Sequence, residues 1–444
     1  MKKLVALLLA VLMVVALFAG CAPKADEPAD KPADQPADKP ADEPADAPAD
    51  EPAAEGEFDG VVKIGVDECL TGGGAVYGLP EARAMQIAAD EINAAGGVKV
   101  DGKSYKIELI QYDNKSDANE AVAALRKLID LDGVKFITGW ATTGSTMAAA
   151  QMRGGEDALM RVACAGELSI TTQGYPNVLR IRPPGAYTGG PAGEFVYNEG
   201  NKTVGILGQF KDSMRSQYNE KFVEAFTGLG GTVVATESFE ETDRDMYTQL
   251  TKILAEDPDC LFIPGFVEPI AFAVKQAREL GFEGPIYGFC GGSREQFLEV
   301  LTIEELEGLY DILPVEGNIE ALGENAKQYH EKYVNLFGEE PPPNGIYGYD
   351  AIYALAAGME AANSIDDVEA VAEACRNMPV AEGAGMEYLT VGGSMFDPNG
   401  QCYTINIVVQ WQNGNRVLVE KLESDPTAFS EYMSQLTAET VAAR

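Results

Sequence analysis

The sequence predicts an α/β protein built as two doubly wound lobes, each a largely parallel sheet with helices on both faces. Three observations carry this expectation. Short apolar runs alternate with stretches of helical periodicity. The alternation occurs as two successive series, and the 444-residue length exceeds one ordinary domain of about 100–200 residues. With 46% hydrophobic residues, the chain has material for two cores.

In the first series Val61–Val66 reads as a strand, followed by the loop Thr71-Gly72-Gly73-Gly74 and a helix over about 81–95 closed by Gly96-Gly97. Tyr105–Tyr112 alternates like a strand. Ser116–Leu131 places Ala121, Leu125, Leu128 and Ile129 on one helical stripe. A strand over 134–138, a helix from about 144 and a short strand near 160–164 complete the series. The second series runs through strands Thr203–Leu207, Thr232–Glu237, Cys260–Ile263 and Pro285–Gly288. Helices Ser216–Leu229, Met246–Glu256 and Pro269–Leu280 separate them. Beyond it, helices are expected over about 320–337, 345–362 and 366–378. Cys402–Trp411 and Arg416–Glu420 flank Asn413-Gly414, a hairpin signal, and 426–443 reads as a terminal amphipathic helix.

One junction stands apart. Residues 137–150 read "ITGWATTGSTMAAA", so a strand hands over to a helix through Thr142, Thr143, Gly144 and Ser145. The first N–H groups of a helix have no partner within it. A threonine there either caps the helix or, together with those N–H groups and the helix dipole, holds an anion.

The chain carries 70 acidic against 33 basic residues, a net charge of −37. Such a surface repels phosphate backbones, which excludes nucleic acid as a natural partner. Residues 1–20 read as a signal peptide: Lys2 and Lys3 precede the apolar run Leu4–Ala19. Phe18-Ala19-Gly20-Cys21 resembles a bacterial lipobox, with Phe18 in place of the usual leucine, which makes Cys21 the lipidated residue. Residues 21–57 follow as an acidic Pro/Ala/Asp spacer with proline at every fourth position from 28 to 52. A stretch of this composition is extended and semi-stiff, and its repeat over residues 28–55 spans about 90 Å at full reach. The expected location is extracytoplasmic, anchored to the membrane by lipid.

Among the remaining cysteines, Cys69, Cys164, Cys260, Cys290, Cys375 and Cys402, no pair makes a CxxC and no spacing fits zinc. Buried free thiols are the default, with disulfides open to an exported chain. Catalytic signatures are missing. No GxGxxG, GxxxxGK[ST] or GxSxG occurs, and the single histidine, His330, sits in a polar helical stretch. A serine triad and histidine zinc sites are excluded, so the sequence offers no enzyme and no cofactor.

The segment "VVKIGVDECLTGGGAVYGLPEARAMQIAADEINAAGGVKVDGKSYKIELIQYDNKSDANEAVAALRKLI" resembles the opening of the leucine/isoleucine/valine-type solute-binding proteins of ABC importers. "GWATTG", "LRIRPP", "GPIYG" and "YGYDAIYAL" extend the resemblance over roughly residues 60–420. It implies a type I periplasmic binding fold: two lobes joined by three crossovers, with a ligand cleft between them. Proline and glycine breaks place the crossovers near Pro183-Pro184, Leu313–Gly317 and Phe396–Gly400. The expected lobes are 58–183 with 317–397 and 184–316 with 398–425, followed by a C-terminal helix over 426–444.

The resemblance also implies site residues. The loop around Trp140, Thr142, Thr143 and Gly144 would hold a ligand carboxylate, with Thr143 at the family's binding serine. Tyr77 would wall the side-chain pocket. Ala165 and Glu167 match a second binding loop, where Glu167 departs from the usual threonine and either faces a ligand ammonium or turns to solvent. In the second lobe Ser213, Phe266 and Cys290 fall at binding positions, and Cys290 replaces an acid that pairs with the ligand's amine. Arg215 either meets an anionic ligand or lies on the surface. The implied function is the receptor of an ABC importer, partnered by permease and ATPase subunits, for a small carboxylate-bearing ligand, an amino acid of branched-chain or related type. The alternatives are a sensory module of the same fold and a receptor for an aromatic acid, a short amide or urea.

Overall fold

The computed structural model describes residues 58–151, 160–314 and 323–443; the signal peptide, Cys21 and the spacer lie outside them. The first sheet has the order β2-β3-β1-β4-β5-β6. Its strands are β1 (Gly60–Glu68), β2 (Val98–Val100), β3 (Lys103–Asp113), β4 (Phe136–Gly139), β5 (Met160–Ala163) and β6 (Val178–Arg180). All pair in parallel except the short β2, which forms an antiparallel hairpin with β3. Helices α1 (Ala75–Ala94), α2 (Ala118–Arg126), α3 (Thr143–Gln151) and, later in the chain, Glu324–Phe337, Gly345–Ala362 and Val368–Asn377 cover it. The second sheet has the order β15-β14-β11-β10-β9-β7-β8. Strands β7 (Thr203–Gly208), β8 (Thr232–Ser238), β9 (Cys260–Pro264), β10 (Ile286–Phe289) and β11 (Leu309–Pro314) are parallel. A short pair, β12 (Tyr388–Leu389) and β13 (Tyr403–Thr404), stands apart. The hairpin β14 (Asn406–Gln412) and β15 (Asn415–Leu422) adds an antiparallel edge to the second sheet. Its turn, Asn413 at φ 53° and Gly414 at φ 73°, has the left-handed geometry this dipeptide favours.

The two lobes expected from the alternation are present, and the first lobe's main apolar cluster also takes in Ile407 and Val409 of β14. Val62, Ile64 and Val66 of β1 bury into a cluster with Met85, Tyr347 and Ile352. Leu207, Ile263 and Val274 on one side of the second sheet, and Ile206, Phe222 and Phe262 on the other, form its two packing layers. The chain leaves the first sheet after Arg180 and returns beside it, because the Arg180 N–H donates to the Gly400 carbonyl at 2.8 Å. The terminal helix Pro426–Ala442 docks there: Ser430 Oγ donates to Asp397 at 2.7 Å, and Phe429 packs edge-on against Tyr187.

The elements that depart from expectation include two helices. Helix α1 begins at Ala75 rather than near 81 and carries Pro80 inside. Its first turn is closed by tight bonds from Ala75 N to Gly72 O and from Tyr77 N to Gly74 O. The second is a helix over Gly185–Asn198, whose sequence "GAYTGGPAGEFVYN" carries too many helix breakers to read as one. Its glycines have a packing role. A Cβ at Gly185, Gly189 or Gly193 would strike the carbonyl oxygen of Met214, Tyr218 or Phe222 respectively, one per turn along the facing helix Ser213–Gly228. The two backbones approach at closest range along that stripe.

Gly193→Ala is therefore expected to destabilise the fold by about 1–3 kcal/mol through overpacking. Gly190→Ala, on the open side of the same helix with nothing within 4 Å, should instead stabilise it by about 0.5–1 kcal/mol. Urea unfolding of both variants checks the contrast; equal effects would contradict it.

Candidate functional site

In open α/β sheets, ligands bind beyond the carboxyl ends of the strands where the strand order reverses. The first sheet reverses at β1, flanked by β3 and β4, and the second between β7 and β9. The loops leaving these strands meet around a cavity of about 560 Å³. Gly73, Gly74 and Tyr77 come from the loop after β1, and Ala141–Gly144 from the loop after β4. Gln209, Lys211, Asp212, Met214 and Arg215 follow β7, Phe266 follows β9 and Cys290 follows β10.

The β4 loop is fixed from beneath. Glu68, at the end of β1, is fully buried, and its Oε1 accepts the N–H groups of Cys69 at 2.8 Å and Ala141 at 3.0 Å. Trp140, held at φ 60°, donates its N–H to the Asp67 carbonyl. Past Ala141 the pattern changes. Among the described residues, the N–H groups of Thr142, Thr143, Gly144 and Ser145 donate to no protein acceptor. The Thr142 hydroxyl turns to Ser145 Oγ at 3.1 Å, while Thr143 is half-buried at the cavity wall. Ser116 stands alongside, its Oγ accepting the Gly74 N–H at 2.8 Å. A helix start with its donors open on a cavity accepts an anion without any basic side chain.

The second group of lining side chains is aromatic and cationic. Tyr77 and Phe266 bring their rings to 5.5 Å across the cleft. The Arg215 guanidinium carbon lies 3.9 Å from the Phe266 ring centroid, and its Nη1 donates to Asp212 Oδ1 at 3.0 Å. Burial pushes the Tyr77 hydroxyl pKa up. Cys290 is a neutral wall, since burial and the neighbouring Asp311 carboxylate push its thiol pKa well up. Asp311 sits behind it, accepting the N–H groups of Cys290 and Gly291 at 3.2 and 3.0 Å.

The cavity thus brings together Tyr77, Thr142, Thr143, Gly144, Phe266 and Cys290. Four other expected residues do not line it. Trp140 is buried beneath the loop, packed with Leu128 and Ile137. Ala165 packs against Ile170 and Val178. Ser213 is exposed in the first turn of its helix, beside the capping residue Asp212. Glu167 caps the turn Leu168–Ile170: its Oε1 accepts Ser169 N at 3.2 Å, Ser169 Oγ at 2.9 Å and Gln217 Nε2 at 2.9 Å. Glu167 is buried and its Oε1 is taken up there, while its Oε2 has no partner among the described residues.

Sequence reasoning missed Ser116, Glu241 and the burial of Arg215. Arg215 is 4% exposed, and the readable signal was Asp212 three residues before it, the spacing of an ion pair along one helix face. Glu241 is exposed at the mouth and has no ion-pair partner among the described residues. A Cβ on Gly73, across the cleft, would meet its carboxylate oxygen at 2.7 Å. Cys69, Cys164, Cys260, Cys290, Cys375 and Cys402 are all buried free thiols. His330 is half-buried on its helix, beside the Glu340 carboxylate.

The periplasmic binding protein family model matches residues 61–415. The chain belongs to that family. This periplasmic binding protein is 26% identical over 323 residues to the leucine-, isoleucine-, valine-, threonine- and alanine-binding protein of Pseudomonas aeruginosa, covering 71% of this chain and 82% of that protein. It also resembles the crystal structure of the leucine binding protein LivK of Thermotoga maritima, with a TM-score of 0.71 and 27% identity over 82% of this chain and 99% of that one. A solute binding protein of an ABC transporter from R. palustris, in complex with benzoate, shares the fold at a TM-score of 0.70, with 18% identity over 83% and 98% of the two chains. A periplasmic binding protein works outside the cytoplasmic membrane, and among the described residues no helix is long and apolar enough to cross one.

Beneath the cavity, Asp67, Glu68 and Glu81 are all fully buried. Burial raises Asp67 and Glu68 to about 7 each, and burial with the neighbouring Glu68 charge raises Glu81 well above the carboxylate range. Asn114 donates to Asp67 at 3.0 Å and Asn344 to Glu81 at 3.2 Å. An acid whose pKa is raised on folding binds its proton more tightly in the native state. Stability is then greatest below the unfolded pKa near 4 and falls as pH climbs towards the native values near 7. The denaturant midpoint of the unliganded protein should fall between about pH 5 and about pH 7, by on the order of 1–3 kcal/mol of stability, and fall less in Glu81→Gln. A midpoint that rises over that window, or an unchanged slope in the variant, would contradict this.

Proposed function

We propose that this protein is the extracytoplasmic receptor of an ABC importer and that it encloses an amino acid between its lobes. The observation that carries the reading is the row of open N–H groups at Thr142–Ser145, placed on a cavity at the switch points of both sheets. An α-carboxylate satisfies these donors, with the Thr143 hydroxyl adding a charge-assisted bond. The α-ammonium then faces Glu241 when the lobes close, since Glu241 approaches Gly73 from the opposite wall. The Pseudomonas relative and LivK, named for amino acids, support this ligand class. No catalytic group is invoked.

The lobes are assigned as 58–183 with 317–397 and 184–316 with 398–425, supported by the strand membership of the two sheets. The lipid on Cys21 and the spacer over 21–57 hold the receptor near its permease and ATPase partners. Cys21→Ala should abolish labelling by a radioactive fatty acid; persistent label would remove the anchor.

Calorimetry with a panel of L-amino acids tests the site. At least one should bind, and Thr143→Ala should weaken it by about ten- to hundredfold, the loss of roughly 1.5–3 kcal/mol. Binding of no amino acid at millimolar concentration would overturn the reading. An undiminished affinity in Thr143→Ala would remove this loop from the site.

A further inference from the structure

The lining side chains away from the helix start do not make an aliphatic pocket. Arg215 is 4% exposed, and with Nη1 given to Asp212 its Nε has no acceptor among the described residues. Tyr77, reaching in from the other lobe, keeps a buried hydroxyl that also has no partner among the described residues. Phe266 links them, its ring 5.5 Å from the Tyr77 ring and beneath the Arg215 guanidinium. Both groups line the cavity, so a ligand that displaces its water either satisfies them or leaves them stranded.

A leucine or valine side chain offers these donors nothing. Leaving a buried donor unpaired is penalised, more so for a charged group, whereas a site that supplies partners for a polar ligand discriminates strongly against an apolar one. A ligand oxygen at this end would take the Arg215 Nε and the Tyr77 hydroxyl together. The apolar faces of Phe266, Met214 and Phe289 are left for its methylene stem. The Asp212 partner fixes the guanidinium, so the group is preorganised before ligand arrives.

We propose that Arg215, together with the Tyr77 hydroxyl, reads an oxygen at the side-chain end of the ligand, so that the site selects amino acids bearing a side-chain carboxylate or carboxamide over aliphatic ones. This rests on the amino-acid reading above and narrows it.

The test is calorimetry of the whole protein with L-glutamate, L-glutamine, L-leucine and glutarate, on the wild type, Arg215→Met and Tyr77→Phe. Asp212 caps its helix through the backbone N–H of residue 215, at 3.0 Å, so Arg215→Met keeps the cap. Unliganded melting verifies that it folds. The wild type should bind glutamate or glutamine at least tenfold more tightly than leucine, and which of the two wins distinguishes carboxylate from carboxamide. Arg215→Met should lose at least tenfold for that ligand while leucine changes less than threefold. If Arg215→Met does not fold, Tyr77→Phe decides: a severalfold loss for the polar ligand with leucine unchanged supports the proposal, and equal losses overturn it. Leucine as the tightest ligand overturns the proposal and leaves the amino-acid reading standing. Glutarate binding with no amino acid bound supports the Arg215 assignment and overturns the amino-acid reading. Failure of all four ligands to bind overturns the proposal.

Discussion

The buried carboxylate of Glu68 is the constraint on which the cleft depends. It ends β1, accepts the Cys69 N–H of its own loop, and reaches across to accept the Ala141 N–H of the loop after β4. Two loops that diverge at the switch point of the first sheet are thereby locked to one group. Because Ala141 is held from beneath, the next four N–H groups remain for the cavity. The arrangement is expensive, with Asp67 and Glu81 buried alongside and burial pushing all three pKa values up. A strained Trp140 at φ 60° sits at the same junction. Strain and buried polarity concentrated beneath one loop are what a binding site imposes on a fold.

Much of the architecture was readable because period and punctuation agree. The parallel strands at Val61–Val66, Thr203–Leu207 and Cys260–Ile263 are short apolar runs between helical stretches, and the structure places them within β1, β7 and β9. The helix Gly185–Asn198 was hidden because its glycines serve a neighbour rather than its own propensity. That information lies in the facing carbonyls of Met214, Tyr218 and Phe222, which no local window contains. Strand β11 was missed for a related reason. Its run Leu309–Pro314 is interrupted by Asp311, a polar residue placed to hold the backbone of Cys290 and Gly291.

The site was half legible. The helix-start signature at Thr142–Gly144 is local chemistry, and a local reading found it. Direction is not local. Glu167 falls where a ligand contact was expected, yet its carboxylate caps the turn that follows it and bonds Gln217 of the other lobe. Arg215, left between an anionic ligand and the surface, is buried by Phe266 and held by Asp212. Cys290 stands where the resemblance places an acid, and Asp311 on the neighbouring strand holds the Cys290 backbone. These side chains are decided by packing partners far away in sequence.

The two lobes touch at Tyr77–Phe266 and at Gly73–Glu241, and their linking segments run together where Arg180 meets Gly400. Closure about those segments would bring Arg215 and Glu241 against a ligand seated on the first lobe. The central claim is that the ligand's carboxylate is seated by backbone donors and not by arginine. A crystal structure with the tightest-binding amino acid tests it most directly. The account predicts carboxylate oxygens about 2.7–3.2 Å from the N–H groups of Thr142–Ser145. A ligand whose α-carboxylate lies on Arg215 or Arg182, with those N–H groups left to water, would contradict it.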